Sequence, residues 1–143
     1  MLRFEPALPE DVPVLFQLNK QLIDQYEDTA SLDYGRVLQW VRANLEKTLP
    51  CFRRVLYDGN LAGWFCLSPA EGKTELDSLF VLPEYQGRGI GTEILKHCQK
   101  SAPVFLYVFR GNVRAIALYE RMGFRIAKEV GTTRYIMEYE KQG

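Results

Sequence analysis

Apolar residues recur along this chain with two different periods, and the period changes from block to block. The first stretch, LRFEPAL, alternates apolar and polar positions and runs into a proline, which predicts a β-strand. Two segments follow in which apolar positions recur every three or four residues, the first opened by Pro9-Glu10-Asp11 and the second written SLDYGRVLQWVRANLEK. This period predicts two helices. Their apolar stripes fall at Val12, Leu15, Leu18, Leu22 and Ile23 in the first helix and at Val37, Leu38, Val41 and Leu45 in the second.

The middle of the chain alternates again. In CFRRVLYDGNLAGWFCLSP, two alternating and aromatic-rich runs flank Asp58-Gly59-Asn60, a combination that predicts a β-hairpin. The run KTELDSLFVLP predicts a further strand, which Pro83 stops. A glycine-rich loop leads into a predicted helix that reaches about as far as Lys100. The next run, PVFLYVF, is nearly all apolar, which is typical of a centrally buried strand.

The last elements are predicted from their ends as well as from their period. GNVRAIALYERMGF has the pattern of a helix, with Asn112 as its N-cap and Gly123 as its C-terminal stop. Two strands, RIAKEV and TRYIMEYE, follow and meet at Gly131. The predicted order is therefore β-α-α-β-β-β-α-β-α-β-β, a mixed α/β fold in a single domain over residues 1–143.

Composition and charge narrow the class of function. The chain has 143 residues, 47% hydrophobic and 25% charged, which is typical of one compact globular domain. It carries 18 basic and 18 acidic residues, and a net charge of zero argues against non-specific nucleic-acid binding. Its first five residues include charges and open no apolar signal segment, and no run approaches the roughly 20 apolar residues of a membrane span. We expect a cytoplasmic protein with neither nucleic acid nor membrane as a partner.

The thiols and the histidine offer little catalytic chemistry of their own. Cys51, Cys66 and Cys98 are widely spaced and form no C-x-x-C pair, so we expect free, buried thiols in a reducing compartment. His97 is the only histidine, and we expect it on a helix surface and not as a ligand or base. No metal site is predicted.

The stretch VLPEYQGRGIGTEILKHCQ places Gly87, Gly89 and Gly91 where a helix is about to start. Glycine there costs about 0.5–1 kcal/mol per helical position relative to alanine, so we expect a ligand close to the backbone. Loop amides and the positive end of a helix dipole suit a phosphate group. A Walker A run is missing from the sequence. The spacing and the position after four strands also disagree with a dinucleotide fingerprint.

A third pattern fits, Q/R-x-x-G-x-G/A, at Gln86 to Gly91. One helix and one strand later comes N-x-x-A-x-x-x-Y-E-x-x-G-F, at Asn112 to Phe124. With these two motifs and the element order, nearly the whole chain resembles the GNAT N-acetyltransferase superfamily. The resemblance implies the fold of that superfamily and acetyl-CoA as the acyl donor. It implies contacts to acetyl-CoA from main-chain groups of Leu79, Phe80 and Val81, from the loop residues Gln86, Gly87, Arg88, Gly89, Ile90, Gly91 and Thr92, and from Asn112 and Tyr119.

The same resemblance suggests which residues act in catalysis. An amine of pKa about 10.4 is only about 0.04% neutral at pH 7, so a base is needed, and the oxyanion needs a donor. In that family a bulge in the splayed strand supplies a main-chain N–H, which carries over to Leu79. Tyr119 carries over as the acid or hydrogen-bond donor at the sulfur, although it could equally pack on the helix's core face. Glu75 is the expected base, with Asp77 or a chain of waters as alternatives. Simple alternation puts both carboxylates on the same face as Leu79, although a bulge would alter that parity.

The acceptor amine is not identified by any motif. The segment IDQYEDTASLDYG contains Asp24, Glu27, Asp28 and Asp33 without Lys or Arg, and with Tyr26, Tyr34 and Trp64 it could form an acidic, aromatic rim that attracts a cationic amine. An ordinary solvated loop explains it as well. RYIMEY would suit a homodimer contact or equally a buried strand. We expect an N-acetyltransferase acting on a small-molecule or peptide amine, and a non-catalytic acyl-CoA-binding regulatory module is the alternative.

Overall fold

A computed structural model describes residues 1–140, and the last three residues of the predicted domain lie outside this range. The described elements follow the predicted order β-α-α-β-β-β-α-β-α-β-β. The four helices are α1 Val12–Tyr26, α2 Tyr34–Thr48, α3 Ile90–Gln99 and α4 Val113–Arg121. The seven strands are β1 Leu2–Pro6, β2 Phe52–Tyr57, β3 Asn60–Ala70, β4 Lys73–Val81, β5 Val104–Phe109, β6 Arg125–Val130 and β7 Arg134–Tyr139.

The strands form one mixed sheet in the order β1-β2-β3-β4-β5-β7-β6. The predicted hairpin between β2 and β3 is confirmed, since Asp58 and Gly59 have φ values of 50° and 84° and Tyr57 pairs with Asn60. Two positive φ values suit a two-residue hairpin turn. A second hairpin, turning at Glu71 and Gly72, joins β3 to β4. The one parallel contact in the described sheet joins β4 to β5.

Each face of the sheet has its own core. α3 and α4 cover one face, where Ile94, Leu95 and Leu106 are almost fully buried. α1 and α2 cover the other face, where Leu15 of α1 and Phe52 of β2 are buried in a common core. The helices α1 and α2 lie over the β1–β4 half, so the same face of β5 and β7 stays partly open. β5 is therefore buried on one face only, and the expectation of a wholly buried strand is corrected: Tyr107 is 44% exposed.

Three further expectations change in the folded chain. Trp64 is 1% exposed in the core under α1 and α2, so it is not part of a substrate rim. His97 is half-buried, with its ring 4.8 Å from that of Phe4 and 5.6 Å from that of Phe65, and not on an open helix surface. Burial lowers the pKa of His97, which favours the neutral ring. Cys66 and Cys98 are buried as expected, whereas Cys51 is half-buried; all three are free thiols.

Two irregularities shape β4. It pairs with β5 only through Thr74 with Val104 and Glu75 with Phe105, so the strands separate beyond this point. On its other edge Ser78 pairs with Cys66 and Leu76 with Leu67, which leaves Asp77 as an extra residue. Two residues against one define a β-bulge. The strand pair thus opens into a gap just where β4 is kinked.

Candidate active site

A cleft of about 840 Å³ opens at the separation of β4 and β5. Its floor is formed by the two strands, with Leu79 and Phe80 on one side and Val108 on the other. α1 and α2 form one wall, and α4 contributes Tyr119 to the opposite wall. The cleft therefore connects the two faces of the sheet, which a closed strand pair would have separated.

The β4 backbone turns free polar groups towards this gap. The Leu82 N–H donates to the Ala62 carbonyl at 2.7 Å, in the register that also pairs Phe80 with Trp64. Hydrogen-bonded and non-bonded pairs alternate along an antiparallel ladder. Leu79 and Val81 therefore direct their N–H and C=O groups away from β3 and towards the gap. Of the three residues expected to offer main-chain groups to a pantetheine arm, Leu79 and Val81 turn them to the gap. Phe80 does not, because its main-chain groups face Trp64 of β3.

The glycine loop presents a row of amides at the start of α3. Gly87 and Gly89 have φ values of 79° and 77°, a region in which side chains are strained, and a Cβ at either position would meet open space. Among residues 1–140, no backbone carbonyl outside the helix accepts from the amides of residues 87–92. Gly89 is the N-cap of the ten-residue α3, so these amides lie at the positive end of its dipole. The loop fits an anion such as a pyrophosphate.

Two side chains of the loop and its third glycine have distinct tasks. The Arg88 guanidinium lies over the ring of Tyr85 at 5.3 Å and over that of Tyr57 at 5.8 Å, which holds a positive charge beside the amides. The Gln86 amide donates to the Val81 carbonyl at 3.0 Å and braces the end of β4. A Cβ on Gly91 would lie 3.3 Å from the Leu118 side chain, so this glycine allows α3 to approach α4 closely. The interpretation that all three glycines clear space for a ligand is therefore corrected for Gly91.

Thr92 and Ile90 differ in what they could offer. Ile90 is 2% exposed and its side chain belongs to the core, so only its amide faces the loop. Thr92 is half-buried in the first turn of α3. At the far end of the cleft, Asn112 caps α4 as predicted, its Oδ1 accepting from the Ala115 N–H at 3.4 Å. Asn112 also lines the cleft.

Glu75 and Asp77 both line the cleft, and neither carboxylate has a hydrogen-bond or ion-pair partner closer than 4.0 Å among residues 1–140. Burial, then the neighbouring Asp77, raises the pKa of Glu75 above its ordinary value. Burial also raises the pKa of Asp77, although its side chain is open to the solvent of the cleft. The bulge changes the parity of β4, so Leu79 packs on the α3 and α4 core. The carboxylates face α1 and α2, so simple alternation does not hold along β4 and the shift of parity expected from a bulge is what the strand shows.

Tyr119 meets both expectations that the sequence left open, since it packs on the core and also reaches the site. Its ring packs on the core, 5.8 Å from the ring of Phe124, and it also lines the cleft. Its hydroxyl is neither sealed from solvent nor hydrogen-bonded within residues 1–140. Burial, followed by the nearby Cys98, raises the pKa of Tyr119 to about 12. The phenol stays protonated throughout the neutral range and is a donor aimed into the cleft.

The acidic loop between the first two helices is mostly committed to structure. The Asp24 carboxylate accepts from Lys20 at 2.9 Å and from the Tyr34 hydroxyl, and these bonds lower its pKa. Asp33 is the N-cap of α2. Of the four acidic residues only Glu27 lines the cleft, and it accepts from the Thr133 hydroxyl at 2.6 Å. Of the two interpretations that the sequence left open, these contacts favour an ordinary structural loop over an acidic rim, and the charge of the cleft comes chiefly from β4.

Two residues of the cleft, Trp40 and Arg134, had no signal in the sequence. Trp40, on α2, is 65% exposed at its rim. Arg134 stands on the β7 side, its guanidinium 5.4 Å from the centre of the Tyr107 ring. The helical period places Trp40 outside the apolar stripe of α2, and the exposed indole agrees with this. The packing of α2 over β4 then brings Trp40 to the cleft, which the period alone does not indicate.

The chain matches the family model described as Acetyltransferase (GNAT) family over residues 15–124. This match covers most of the chain, including the strand pair, the glycine loop and α4. The protein therefore belongs to the GNAT acetyltransferase family, and the family predicted from the two motifs is confirmed.

Two relatives are similar to this chain at moderate sequence identity. Spermine/spermidine N(1)-acetyltransferase of Bacillus subtilis is 33% identical over 89 residues, which covers 52% of this chain but only 59% of that protein's length. Peptidyl-lysine N-acetyltransferase YjaB of Salmonella typhimurium is 24% identical over 127 residues, 88% of this chain and 85% of its own. The crystal structure of PaiA N-acetyltransferase from Thermoplasma acidophilum in complex with coenzyme A superposes with a TM-score of 0.73 at 21% identity, over 99% of each chain. That likeness shows the fold.

No helix within residues 1–140 has the length and apolar character needed to cross a membrane. In the same range, no three side chains of His, Cys, Asp or Glu are grouped as metal ligands would be.

Proposed function

We propose that this protein transfers an acetyl group from acetyl-CoA to a primary amine, with the amine attacking directly. The observation that carries the proposal is one cleft at the separation of β4 and β5 that joins a free β4 edge, two unpaired carboxylates and a protonated phenol. The glycine loop follows the end of β4, and its unpaired amides suit an anionic donor, whereas the carboxylates of the cleft suit a cationic acceptor.

The binding of acetyl-CoA would use the groups described above. The amides of Gly87 to Thr92, with Arg88 nearby, would hold the pyrophosphate, because nothing else in the described chain accepts from them. The Leu79 carbonyl and the Val81 N–H would bind the pantetheine arm, since the Val81 carbonyl accepts from Gln86. Phe80 lies between them, and Asn112 would contact the donor from α4. Bound in this way, acetyl-CoA supplies an activated thioester.

Each step then has a residue in reach of the cleft. Glu75, with its raised pKa, accepts the proton of the acceptor ammonium either directly or through water. As the new carbon–nitrogen bond forms and the carbon–sulfur bond breaks, the Leu79 N–H donates to the carbonyl oxygen on which charge develops. Tyr119 donates a hydrogen bond to the departing sulfur. Full transfer of its proton to a thiolate of pKa about 8.5 is uphill by about three pKa units, so stabilisation by hydrogen bonding is its main contribution.

The acceptor is a small-molecule or peptide amine. The named relatives act on polyamines and on peptidyl lysine, and both present a primary ammonium at neutral pH. The free thiols support a reducing, cytoplasmic setting. The RYIMEY segment is β7, hydrogen-bonded on both edges with Met137 fully buried, so buried packing accounts for it; a homodimer would need another surface, such as the β6 edge.

The test is the thermal unfolding midpoint with acetyl-CoA, CoA, ATP and NADH, followed by thiol release with a panel of amines. A ligand at 100 times its Kd adds about 2.7 kcal/mol, which raises the midpoint of a domain this size by several degrees. We expect shifts with acetyl-CoA and CoA alone and amine-dependent thiol release. A shift without release for any amine would favour the non-catalytic acyl-CoA-binding module, and no shift would refute the site itself.

A further inference from the structure

A small side pocket of about 70 Å³ branches from the cleft between β4 and the first two helices. It shares Asn19, Trp40, Asp77 and Ser78 with the cleft, so a ligand in the cleft can extend into it. A water molecule occupies about 30 Å³ of liquid, and the pocket therefore has room for an ammonium group with its adjoining methylene. Its lining residues are Asn19, Trp40, Val41, Asn44, Leu45, Asp77 and Ser78.

The polar groups of this pocket include several acceptors, one of them a carboxylate. Asp77 is its one charged lining residue in the described chain, and no Lys or Arg reaches that carboxylate. The Asn19 amide nitrogen donates to the Leu15 carbonyl at 2.8 Å, which leaves its Oδ1 as an acceptor. Asn44 and Ser78 add an amide and a hydroxyl, and Trp40 adds an exposed aromatic ring. Carboxylate, amide oxygens and an indole face are the groups that receive an ammonium ion.

The cations of the cleft lie elsewhere. Arg134 lines the cleft from β7, on the far side of β5, where it is held over the Tyr107 ring. A cationic ligand group would therefore find its electrostatic minimum on the α1 and α2 side, beside Asp77. It would also offset the cost of a carboxylate that the fold leaves unpaired.

We propose that this side pocket binds a second ammonium group of the acceptor, so that the preferred acceptors are linear diamines or polyamines and not monoamines. This inference rests on the proposed acetyl transfer and assigns Asp77 as a specificity residue, with Glu75 serving the reacting amine. Glu75 and Asp77 lie two positions apart on one strand, so their backbones are at most about 6.6 Å apart at 3.3 Å per residue, and less where the bulge bends β4. A spacer of about three to five methylenes between the nitrogens spans such a distance.

The experiment compares three acceptors of one length at saturating acetyl-CoA: butane-1,4-diamine, butan-1-amine and 4-aminobutan-1-ol. We expect kcat/KM for the diamine to exceed that for the other two by about tenfold to hundredfold, the range of a charged hydrogen bond and well above the statistical factor of about two. Asp77→Asn should reduce this ratio to about threefold or less, and Asn44→Leu should reduce it in part. Asp28→Asn removes the same charge outside the cleft and is the matched control, for which the wild-type ratio is expected.

Binding supplies a second readout. With CoA present, butane-1,4-diamine should raise the unfolding midpoint of the wild type and of Asp28→Asn, but not that of Asp77→Asn. Equal kcat/KM for the three acceptors, or a ratio that survives Asp77→Asn, would overturn this inference and leave the acetyltransferase standing. Failure to acetylate any amine would overturn the proposed function and this inference with it.

Discussion

Glu75 and Leu79 lie four residues apart on one strand, yet their side chains point to opposite faces of the sheet. The extra residue at Asp77 causes this, because a bulge shifts the alternation of every residue beyond it. As a result the carboxylate faces the acceptor side under α1 and α2, while the Leu79 side chain is anchored in the other core. The proposed base and the proposed oxyanion donor thereby lie around one gap without competing for the same space.

The first prediction concerns Glu75. Replacing it with Gln removes the base but keeps the volume, and general-base losses are typically about 10²–10⁴-fold, so we expect kcat/KM for the amine to fall by about 10²-fold. In the wild type kcat/KM should fall as the pH drops through the Glu75 pKa, which lies above the ordinary value, and this limb should vanish in Glu75→Gln. Steady-state kinetics from about pH 5 to 9 measure both the loss of kcat/KM and the acidic limb of its pH profile.

Glu71→Gln, in the β3–β4 turn, is the control, for which wild-type kinetics are expected. A loss of kcat/KM below about threefold in Glu75→Gln would indicate that a chain of waters, and not Glu75, is the base.

Tyr119 provides the second prediction. Because its hydroxyl has no partner within residues 1–140, Tyr119→Phe should leave the unfolding midpoint within about 1–2 °C of the wild type. The loss of a donor at the departing sulfur should lower kcat by about 10–100-fold while changing the Kd for CoA by less than about threefold. Calorimetric titration with CoA and single-turnover rates separate the two effects. Equal kcat for both proteins would remove Tyr119 from the reaction.

The glycine loop predicts a contrast between two substitutions. Gly89→Ala forces a side chain at φ 77°, which costs about 1–2 kcal/mol and disturbs the amides, so both the midpoint and the CoA affinity should fall. Gly91→Ala keeps a helical φ and meets only the flexible end of Leu118 at 3.3 Å. We therefore expect it to lower the unfolding midpoint slightly and to change the affinity for CoA even less. Thermal unfolding with and without CoA distinguishes them. The assignment would be refuted by CoA affinity that is the same in Gly89→Ala and in the wild type.

A fourth prediction links Asp77 to stability. Burial raises its pKa, so its folded-state pKa exceeds the unfolded value and protonation favours the folded chain. This contribution is present below the unfolded pKa of about 3.9 and is lost as the pH rises through the folded pKa. Because solvent reaches the Asp77 side chain and screens its charge, the effect is small: Asp77→Asn should raise the unfolding midpoint by about 1 °C or less at pH 7–8 and by still less near pH 4, about the ordinary carboxyl range. A variant that is less stable than the wild type at pH 8 would contradict this account.

The sequence alone was sufficient for the element order, the family and the position of the glycine loop. These properties depend on local chemistry: apolar period, turn residues such as Asp58-Gly59, the Asn112 cap, and glycines that must adopt positive φ. Each is determined within a few residues of chain, so no long-range contact is needed to recognise it.

The tertiary structure decided everything that depends on which strand faces which helix. The bulge at Asp77 places the carboxylates on the face opposite the Leu79 side chain. Asp24 pairs with Lys20 and Asp33 caps α2, so these two acidic residues of the loop are engaged in structure. Trp64 is buried in the core, whereas Trp40 is exposed at the cleft. The side pocket likewise exists only because α2 packs over the kink in β4. Strand register and helix docking join residues far apart in the chain, and the periodicity of either partner alone does not specify how they meet.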